Sequence, residues 1–340
     1  MTFFNKVACF TDIHFGLKGN SRIHNDDCED FVRWFIEQSK AQGCETCIFL
    51  GDWHHHRSAT NVSTMNYTVS NMERLSKAFK KVYVIMGNHD LFYREKREIN
   101  SMEFIRHIPN IHIVNEWLED EDIAIIPWIV EGEWKKIAKM KKKYVFGHFE
   151  LPYFKMNAMV EMPDVGGIQT DHFAGCEKVW SGHFHKRQIM KNVTYMGNAF
   201  PHNYADAWDD DRGMMVLEWG GEPKYINWPD MPRYITIKIS DLLADPDKYL
   251  KPKMYVRVTL DIKISYEEAN FVRETFIDKY SLRELQLIPE QIDNAQQPTV
   301  QVQKFDSVDQ IVIKQLQGVD SETYDKNILT AIYNDLDVTS

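Results

Sequence analysis

Three features are missing from this sequence of 340 residues: a long apolar run, a regular pattern of cysteines and an excess of basic residues. No stretch approaches the roughly 20 apolar residues that a membrane-spanning helix needs. The apolar start of the chain is interrupted at Asp12, too early for a secretory signal. We therefore expect a cytosolic protein, located in the host cytoplasm if the chain is viral.

The five cysteines are odd in number and lack the spacing of a disulfide framework. A reducing compartment explains such cysteines most simply, so we expect no disulfides. Cys44 and Cys47 have the spacing of a redox or half-zinc motif. No second pair accompanies them, and Cys47 opens an apolar strand, so we interpret both as buried thiols.

The net charge of -10 argues against a protein that binds nucleic acid over its whole surface. Phosphate affinity comes mainly from Lys and Arg side chains. Bound cations would neutralise several acidic groups, however, and a local basic face can coexist with an acidic total. Charge alone therefore does not exclude DNA as a substrate.

Short apolar runs alternate with amphipathic helical stretches in the first two thirds of the chain, which favours an α/β fold with two packed sheets. Helices are predicted over residues 26–42 and 65–79. Strands are predicted over residues 7–10, 48–50, 82–86, 111–114, 123–126, 144–146, 179–181, 193–196 and 214–219.

A Pro-punctuated connector at 227–232 predicts a domain boundary. We assign residues 1–228 to the main domain, 229–290 to a small α+β capping domain and 291–340 to a linker with C-terminal helices. The capping domain is predicted to contain strands over 234–239, 255–262 and 282–288 and a helix over 266–280. In the tail, helices are predicted over 308–316 and 324–336.

Five short polar motifs each follow a predicted strand, and they come in a fixed order. They are Asp12-Ile13-His14, Gly51-Asp52, Gly87-Asn88-His89-Asp90, Gly147-His148 and Gly182-His183-Phe184-His185. Open α/β sheets place their sites at the carboxyl ends of strands. In an extended segment His183 and His185 point to the same side. One such pair arises readily in turns and caps, whereas five in order are hard to explain by packing.

Asp, His and Asn side chains without thiolate suit borderline-hard divalent ions such as manganese, iron or zinc. Two such ions can clamp both the attacking and the leaving oxygen of a phosphoryl centre. The motifs therefore indicate a two-metal phosphoesterase.

These five motifs resemble the signature of the calcineurin-like metallophosphoesterase superfamily. Within it, the chain is most similar over its whole length to the nuclease subunits of SbcCD-type double-strand-break-repair complexes, including those of T-even bacteriophages. His55, three residues after Asp52, favours this branch, as do Tyr195-Met196-Gly197-Asn198 and Asp211-Arg212-Gly213. The protein phosphatases instead carry Asp-Arg-Gly in the second motif and Gly-Asn-His-Glu in the third.

The resemblance implies a four-layer α/β/β/α sandwich and a ligand set. By resemblance Asp12, His14, Asp52 and His185 would hold one metal, and Asp52, Asn88, His148 and His183 the other, with Asp52 bridging. His89 would lie over the scissile phosphate and protonate the leaving 3′ oxygen. His55 would be its neighbour, and Asp90 would orient it.

The resemblance also implies a manganese-dependent DNA nuclease that acts as an exonuclease on duplex ends and an endonuclease on single strands. Magnesium, iron or zinc are alternative metals. Such a hydrolase would serve DNA replication, recombination and repair as a homodimer bound to an SbcC-like coiled-coil ATPase. The tail helix over 324–336 is our candidate for the ATPase docking surface.

Two alternatives remain open from the sequence. A phosphoesterase of the same superfamily that acts on small molecules or proteins would have the same metal site. A non-catalytic subunit that binds DNA ends is disfavoured by the intact ligand set. Other histidines match no motif: His54 and His56 are interpreted as solvated or supporting residues, and His24, His107, His112, His172 and His202 as surface or core residues.

Overall fold

The computed structural model describes residues 3–156 and 160–289. The predicted linker and the two predicted tail helices after residue 290 lie outside the described residues. No helix in the described part of the chain is long and apolar enough to cross a bilayer.

Seventeen strands and seven helices are described in these residues. The strands are β1 Lys6–Phe10, β2 Thr46–Phe49, β3 Lys81–Ile85, β4 Leu91–Tyr93, β5 Lys96–Asn100, β6 Ile111–Val114, β7 Leu118–Glu119, β8 Ile123–Ile126, β9 Tyr144–His148, β10 Lys178–Gly182, β11 Gln188–Met190, β12 Val193–Tyr195, β13 Gly213–Glu218, β14 Lys224–Asn227, β15 Arg233–Lys238, β16 Met254–Leu260 and β17 Glu284–Pro289. The helices are α1 Leu17–Asn20, α2 Arg22–Ala41, α3 Val62–Ala78, α4 Trp134–Ile137, α5 Ile239–Ala244, α6 Pro246–Tyr249 and α7 Tyr266–Tyr280.

Two six-stranded mixed sheets form the main body. The first has the strand order β14-β13-β1-β2-β3-β6 and the second β11-β12-β10-β9-β8-β7. In the first sheet β1, β2, β3 and β6 are parallel, and in the second β8, β9, β10 and β12 are parallel. A third, parallel sheet of β15, β16 and β17 belongs to the small α+β unit.

Alternating side chains explain why the two large sheets pack face to face. In β1, Val7 and Cys9 belong to the core between the sheets, whereas Ala8 and Phe10 belong to the core under the helices. In the second sheet Phe146 contributes to the same inter-sheet core. Strands with both faces buried need apolar residues at nearly every position, which matches their sequences.

The predicted four-layer fold is confirmed, with an outer layer that differs between the two sides. Helices α2 and α3 cover the first sheet. The outer face of the second sheet is covered by the one-turn helix α4 and by loops that carry Phe149, Phe154 and Phe173.

The two halves of helix α3 bury different kinds of side chain. Met72 and Leu75 are buried in its carboxyl-terminal half, whereas Met65 is 37% exposed and the amino-terminal half buries Thr64 and Thr68. Thr68 Oγ1 contacts the ring nitrogens of two residues that follow β2. The helix therefore supports polar groups near the ends of the strands.

All five cysteines are buried free thiols. Burial raises the pKa of Cys44 to about 11 and that of Cys47 well above its usual value. Both thiols therefore stay protonated and unreactive at neutral pH.

The small α+β unit contacts the main body through a buried ion pair. The Arg283 guanidinium donates to both carboxylate oxygens of Asp27 on α2, at 2.5 and 2.8 Å. The side chains of Arg283 and Asp27 are only 18% and 4% exposed. This pair fixes the position of the α+β unit against α2. The domain boundary near residue 228 stays a prediction.

We expect Asp27→Ala to destabilise the protein by about 3 kcal/mol, because it leaves the Arg283 charge buried without its partner. Urea unfolding of the variant measures this change. Glu218→Ala, which breaks the exposed pair of Glu218 with Lys6, is the matched control and should cost under about 1 kcal/mol. Equal effects of the two substitutions would contradict the structural role given to Asp27.

Candidate metal centre

The carboxyl ends of strands from both large sheets meet at one place. The first sheet contributes the residues after β1, β2 and β3, and the second contributes the end of β9 and the residues after β10. All seven predicted ligands lie in these segments: Asp12, His14, Asp52, Asn88, His148, His183 and His185. The fold therefore brings together residues that are up to 173 positions apart, from residue 12 to residue 185.

One group of side chains surrounds Asp12. The Nε2 atoms of His14 and His185 each lie 3.9 Å from Asp12 Oδ1, and His14 Nε2 lies 3.7 Å from Asp52 Oδ2. Asp12 and His14 are buried. This is the predicted first metal position.

A second group shares Asp52. His148 Nε2 lies 3.4 Å from Asp52 Oδ2 and 3.1 Å from Asn88 Oδ1. His183 Nδ1 lies 2.9 Å from the same amide oxygen. This is the predicted second metal position, and Asp52 contacts both.

The donor set fits divalent cations better than a network of hydrogen bonds. Neither ring nitrogen of buried His14 has a hydrogen-bond partner among the described residues. Its distances to the carboxylates are too long for hydrogen bonds. Ligand atoms that each lie about 2.1 Å from one ion stand between about 3.0 and 4.2 Å apart, depending on the angle at the ion. The distances of 3.7 and 3.9 Å fall in this range, so shared ions account for them.

Hydrogen bonds fix the orientation of two imidazoles. His148 Nδ1 lies 2.7 Å from the carbonyl oxygen of Leu50, to which it must donate, so Nε2 faces the site. His183 Nε2 lies 3.3 Å from Glu150 Oε1, which turns its Nδ1 toward the site. Arg94 in turn donates to Glu150 at 2.6 Å. Carbonyl and carboxylate partners of this kind orient metal-binding histidines.

Charge and burial set the ionisation of the centre. Burial would raise the pKa of Asp52, but neighbouring His148 lowers it well below its usual value, with smaller effects from His89 and His14. Burial would lower the pKa of His148, but Asp52 raises it to about 9. Burial lowers the pKa of His14 well below its usual value. A cation at the second position must therefore compete with a proton for His148 Nε2.

Four of the seven predicted ligands have strained backbone conformations. The φ angles are 51° at Asp12, 52° at His14, 62° at Asp52 and 97° at His183. A positive φ costs of the order of 1–3 kcal/mol for a residue with a side chain and persists where the surroundings enforce it. Such strain clusters at functional sites, which agrees with the convergence of these four residues.

Glycines allow the loops to touch. A Cβ atom on Gly87 would lie 2.2 Å from Asp52 Oδ1 and 2.5 Å from its backbone nitrogen. On Gly51 it would lie 2.4 Å from His148 Nδ1, and on Gly182 2.7 Å from the carbonyl oxygen of Leu50. The glycines before Asp52, Asn88 and His183 are therefore required by close contact.

Asp90 binds backbone groups of the second and third loops. Its carboxylate accepts hydrogen bonds from the backbone nitrogens of Asp52, Trp53, His54 and Gly87, at 2.8 to 3.0 Å. This differs from the predicted role of Asp90 as the group that orients His89. In the structure Asp90 holds the two loops together and thereby positions Asp52.

His89 lies at the rim of the centre and is held by other groups. Its Nδ1 lies 2.7 Å from the carbonyl oxygen of His55, and its backbone nitrogen donates to Asp52 Oδ1 at 2.8 Å. Its ring stacks on that of His55 with centroids 5.3 Å apart and meets the His14 ring edge-on at 4.9 Å. Since Nδ1 donates to a carbonyl, Nε2 is the nitrogen available to a substrate.

Two residues near the centre, Glu150 and His202, belong to none of the five motifs. Glu150, which orients His183, follows Gly147-His148 by two residues and could have been suspected from that position. His202 lies beside His14 and His185 with ring centroids 5.5 and 5.3 Å away. From the sequence, His202 is expected to be a surface or core histidine, and it is buried. His54 is a supporting residue, since its ring bridges Ser101 and Thr68.

Comparison with known proteins gives a family and several similar chains. The sequence model of the family described as calcineurin-like phosphoesterase matches residues 5–217, which include all five motifs. Exonuclease subunit 1 of Enterobacteria phage T4 is 25% identical over 317 residues, which cover 85% of this chain and 92% of that protein. Among solved structures, nuclease MPE of Pseudomonas putida is 16% identical, covers 63% of this chain and 84% of its own, and has a TM-score of 0.31. A dimetal phosphatase from Danio rerio is 11% identical, and the match covers 63% of this chain and 92% of the phosphatase, with a TM-score of 0.38.

We expect Gly87→Ala to weaken cation binding at least about tenfold, because the new methyl group must displace Asp52, on which both positions depend. Titration calorimetry with Mn²⁺ measures the change. Gly132→Ala is the matched control, because a Cβ there meets nothing within 4 Å. Unchanged affinity in Gly87→Ala would contradict the assigned contact.

Proposed function

The chain belongs to the calcineurin-like phosphoesterase family, and we propose that it is a two-metal DNA nuclease. Membership makes it a metal-dependent phosphodiesterase of a family that uses dimetal centres. The observation that carries the proposal is the convergence of seven Asp, His and Asn side chains at one place, with Asp52 shared between two groups of them and His89 at the rim.

The predicted residues divide into two sets that share Asp52. Asp12, His14 and His185 would hold one cation with it, and Asn88, His148 and His183 would hold the other. When bound, two divalent cations would neutralise the phosphoryl oxygens and activate the attacking water. We propose manganese as the metal, because it suits a set of ligands that mixes imidazole nitrogens with carboxylate and amide oxygens.

His89 would act on the leaving group. Its Nδ1–H donates to the His55 carbonyl, so in the imidazolium form His89 would carry a second proton on Nε2. That proton would pass to the leaving 3′ oxygen as the P–O bond breaks, which would leave His89 as neutral imidazole. The water oxygen forms the new bond to phosphorus, which leaves a 5′ phosphate and a 3′ hydroxyl. His55 would keep the imidazole of His89 in place by stacking.

DNA as substrate is supported by the similarity to the phage T4 exonuclease subunit. A surface of paired cations and aromatic rings adds a physical argument. The Lys18 ammonium lies 4.2 Å from the Tyr255 ring centroid, and the Arg257 guanidinium lies 3.7 Å from that of Tyr204. Aromatic and basic side chains together bind single-stranded nucleic acid. This supports a DNA-contacting role for the capping domain.

The biological setting is part of the same proposal. We propose that the nuclease acts as an exonuclease on duplex ends and an endonuclease on single strands, in recombination and repair. It would work as a homodimer with an SbcC-like coiled-coil ATPase, to which the tail over 324–336 would dock. The subunit name of the phage T4 relative supports an assembly with a partner.

We expect His89→Ala to reduce cleavage by about 10²–10⁴-fold while two cations stay bound, because His89 acts on the leaving group. Asp52→Asn should abolish cleavage and weaken both cation sites. End-labelled duplex DNA and single-stranded DNA are digested with Mn²⁺ and with Mg²⁺, and bound metal is counted in parallel.

His112→Ala is the control. His112 lies on β6, away from the site, and its ring stacks on that of Tyr83 of β3. This substitution should leave cleavage unchanged. Loss of metal from His89→Ala would overturn its assigned role. If bis(p-nitrophenyl) phosphate or cyclic nucleotides were hydrolysed but DNA of both forms were not, the chain would be a phosphoesterase of another specificity.

A further inference from the structure

His202 is buried beside the first metal position but has no partner for either ring nitrogen. It is 2% exposed, and both Nδ1 and Nε2 lack a hydrogen bond within the described residues. Ligand atoms of His202, His14 and His185 all lie within 4.8 Å of one another. His202 belongs to none of the five motifs.

Two other buried histidines show how a structural histidine is satisfied in this fold. His24 Nε2 lies 3.0 Å from the carbonyl oxygen of His14. His54 contacts Ser101 Oγ with one nitrogen at 2.7 Å and Thr68 Oγ1 with the other at 2.8 Å. Buried polar groups in native proteins are generally paired in this way. His202 departs from that rule, and it does so next to His14, which departs from it as well.

The loop that carries His202 is firmly held. The backbone nitrogen of His202 donates to Asp206 Oδ2 at 2.9 Å. The buried Arg212 side chain contacts Asp206 at 3.2 Å and Asp209 at 2.9 Å. The ion pairs of Arg212 fix the loop, and the loop holds the His202 imidazole in its buried position. This gives the Asp211-Arg212-Gly213 stretch a physical role.

We propose that His202 is a further ligand of the cation held by Asp12, His14 and His185. Ligand atoms on opposite sides of one ion at about 2.1 Å stand about 4.2 Å apart. The three imidazole nitrogens lie within 4.8 Å of one another, so an approach of at most about 0.6 Å brings any pair of them within reach of one ion. The inference rests on the two-metal site of the proposed function and extends it. It makes the two positions unequal, with three imidazoles at the first and two at the second.

The unequal donor sets have a consequence for metal choice. Imidazole favours cobalt, iron and zinc over magnesium, whereas carboxylate and amide oxygens accept magnesium and manganese. The first position therefore binds a nitrogen-preferring cation more tightly than the second. His202 is the residue that creates this difference.

The test is Co²⁺ binding to the full chain, followed by visible absorption and calorimetry, in the wild type and in His202→Gln. We expect two Co²⁺ sites in the wild type, and a variant that binds one of them about tenfold or more weakly, with an altered d–d band. The other site should be unchanged. His112→Gln is the control, because His112 stacks on Tyr83 and belongs to no group of candidate ligands.

Identical affinities and spectra in the wild type and His202→Gln would overturn the proposal. If the variant fails to fold, the ring-nitrogen NMR shifts of the wild type decide: Zn²⁺ must shift a His202 nitrogen, and an unmoved signal overturns the proposal. Absence of any Co²⁺ or Zn²⁺ binding to the wild type would instead remove the proposed two-metal function itself.

Discussion

The arrangement depends on burying two carboxylates, Asp12 and Asp52, where the strand ends of two sheets meet. An ionised carboxylate is costly to bury unless opposite charge compensates it. The surrounding imidazoles lower the pKa of Asp52, yet neutral His14 supplies no hydrogen bond to either carboxylate. Divalent cations at the two predicted positions would supply both the positive charge and the missing partners, which would couple the fold to its metal centre.

The remaining features of the centre follow from bringing five loops to one point. Four of the predicted ligands have positive φ angles, and glycines at 51, 87 and 182 remove the Cβ atoms that would keep the loops apart. The four backbone amides that bind Asp90 then hold the second and third loops together. Loops held in this way would keep the predicted ligands in place before cations bind, which would reduce the entropic cost of binding them.

Most helices and strands could be predicted from the sequence, because the residue patterns that indicate them are local. Strand alternation and helical periodicity gave most elements to within a few residues, and the helix over 266–280 agrees with α7. The β4–β5 hairpin was missed because its strands are short and mostly exposed. Asp90's partners and the approach of His202 could not be predicted, since both depend on how distant loops meet.

The most direct measurement is a crystal structure of the protein soaked in Mn²⁺, with anomalous scattering used to locate the ions. The account predicts two peaks about 3.5–4 Å apart, with Asp52 in contact with both. A single peak, or two peaks of which one does not contact Asp52, would contradict it.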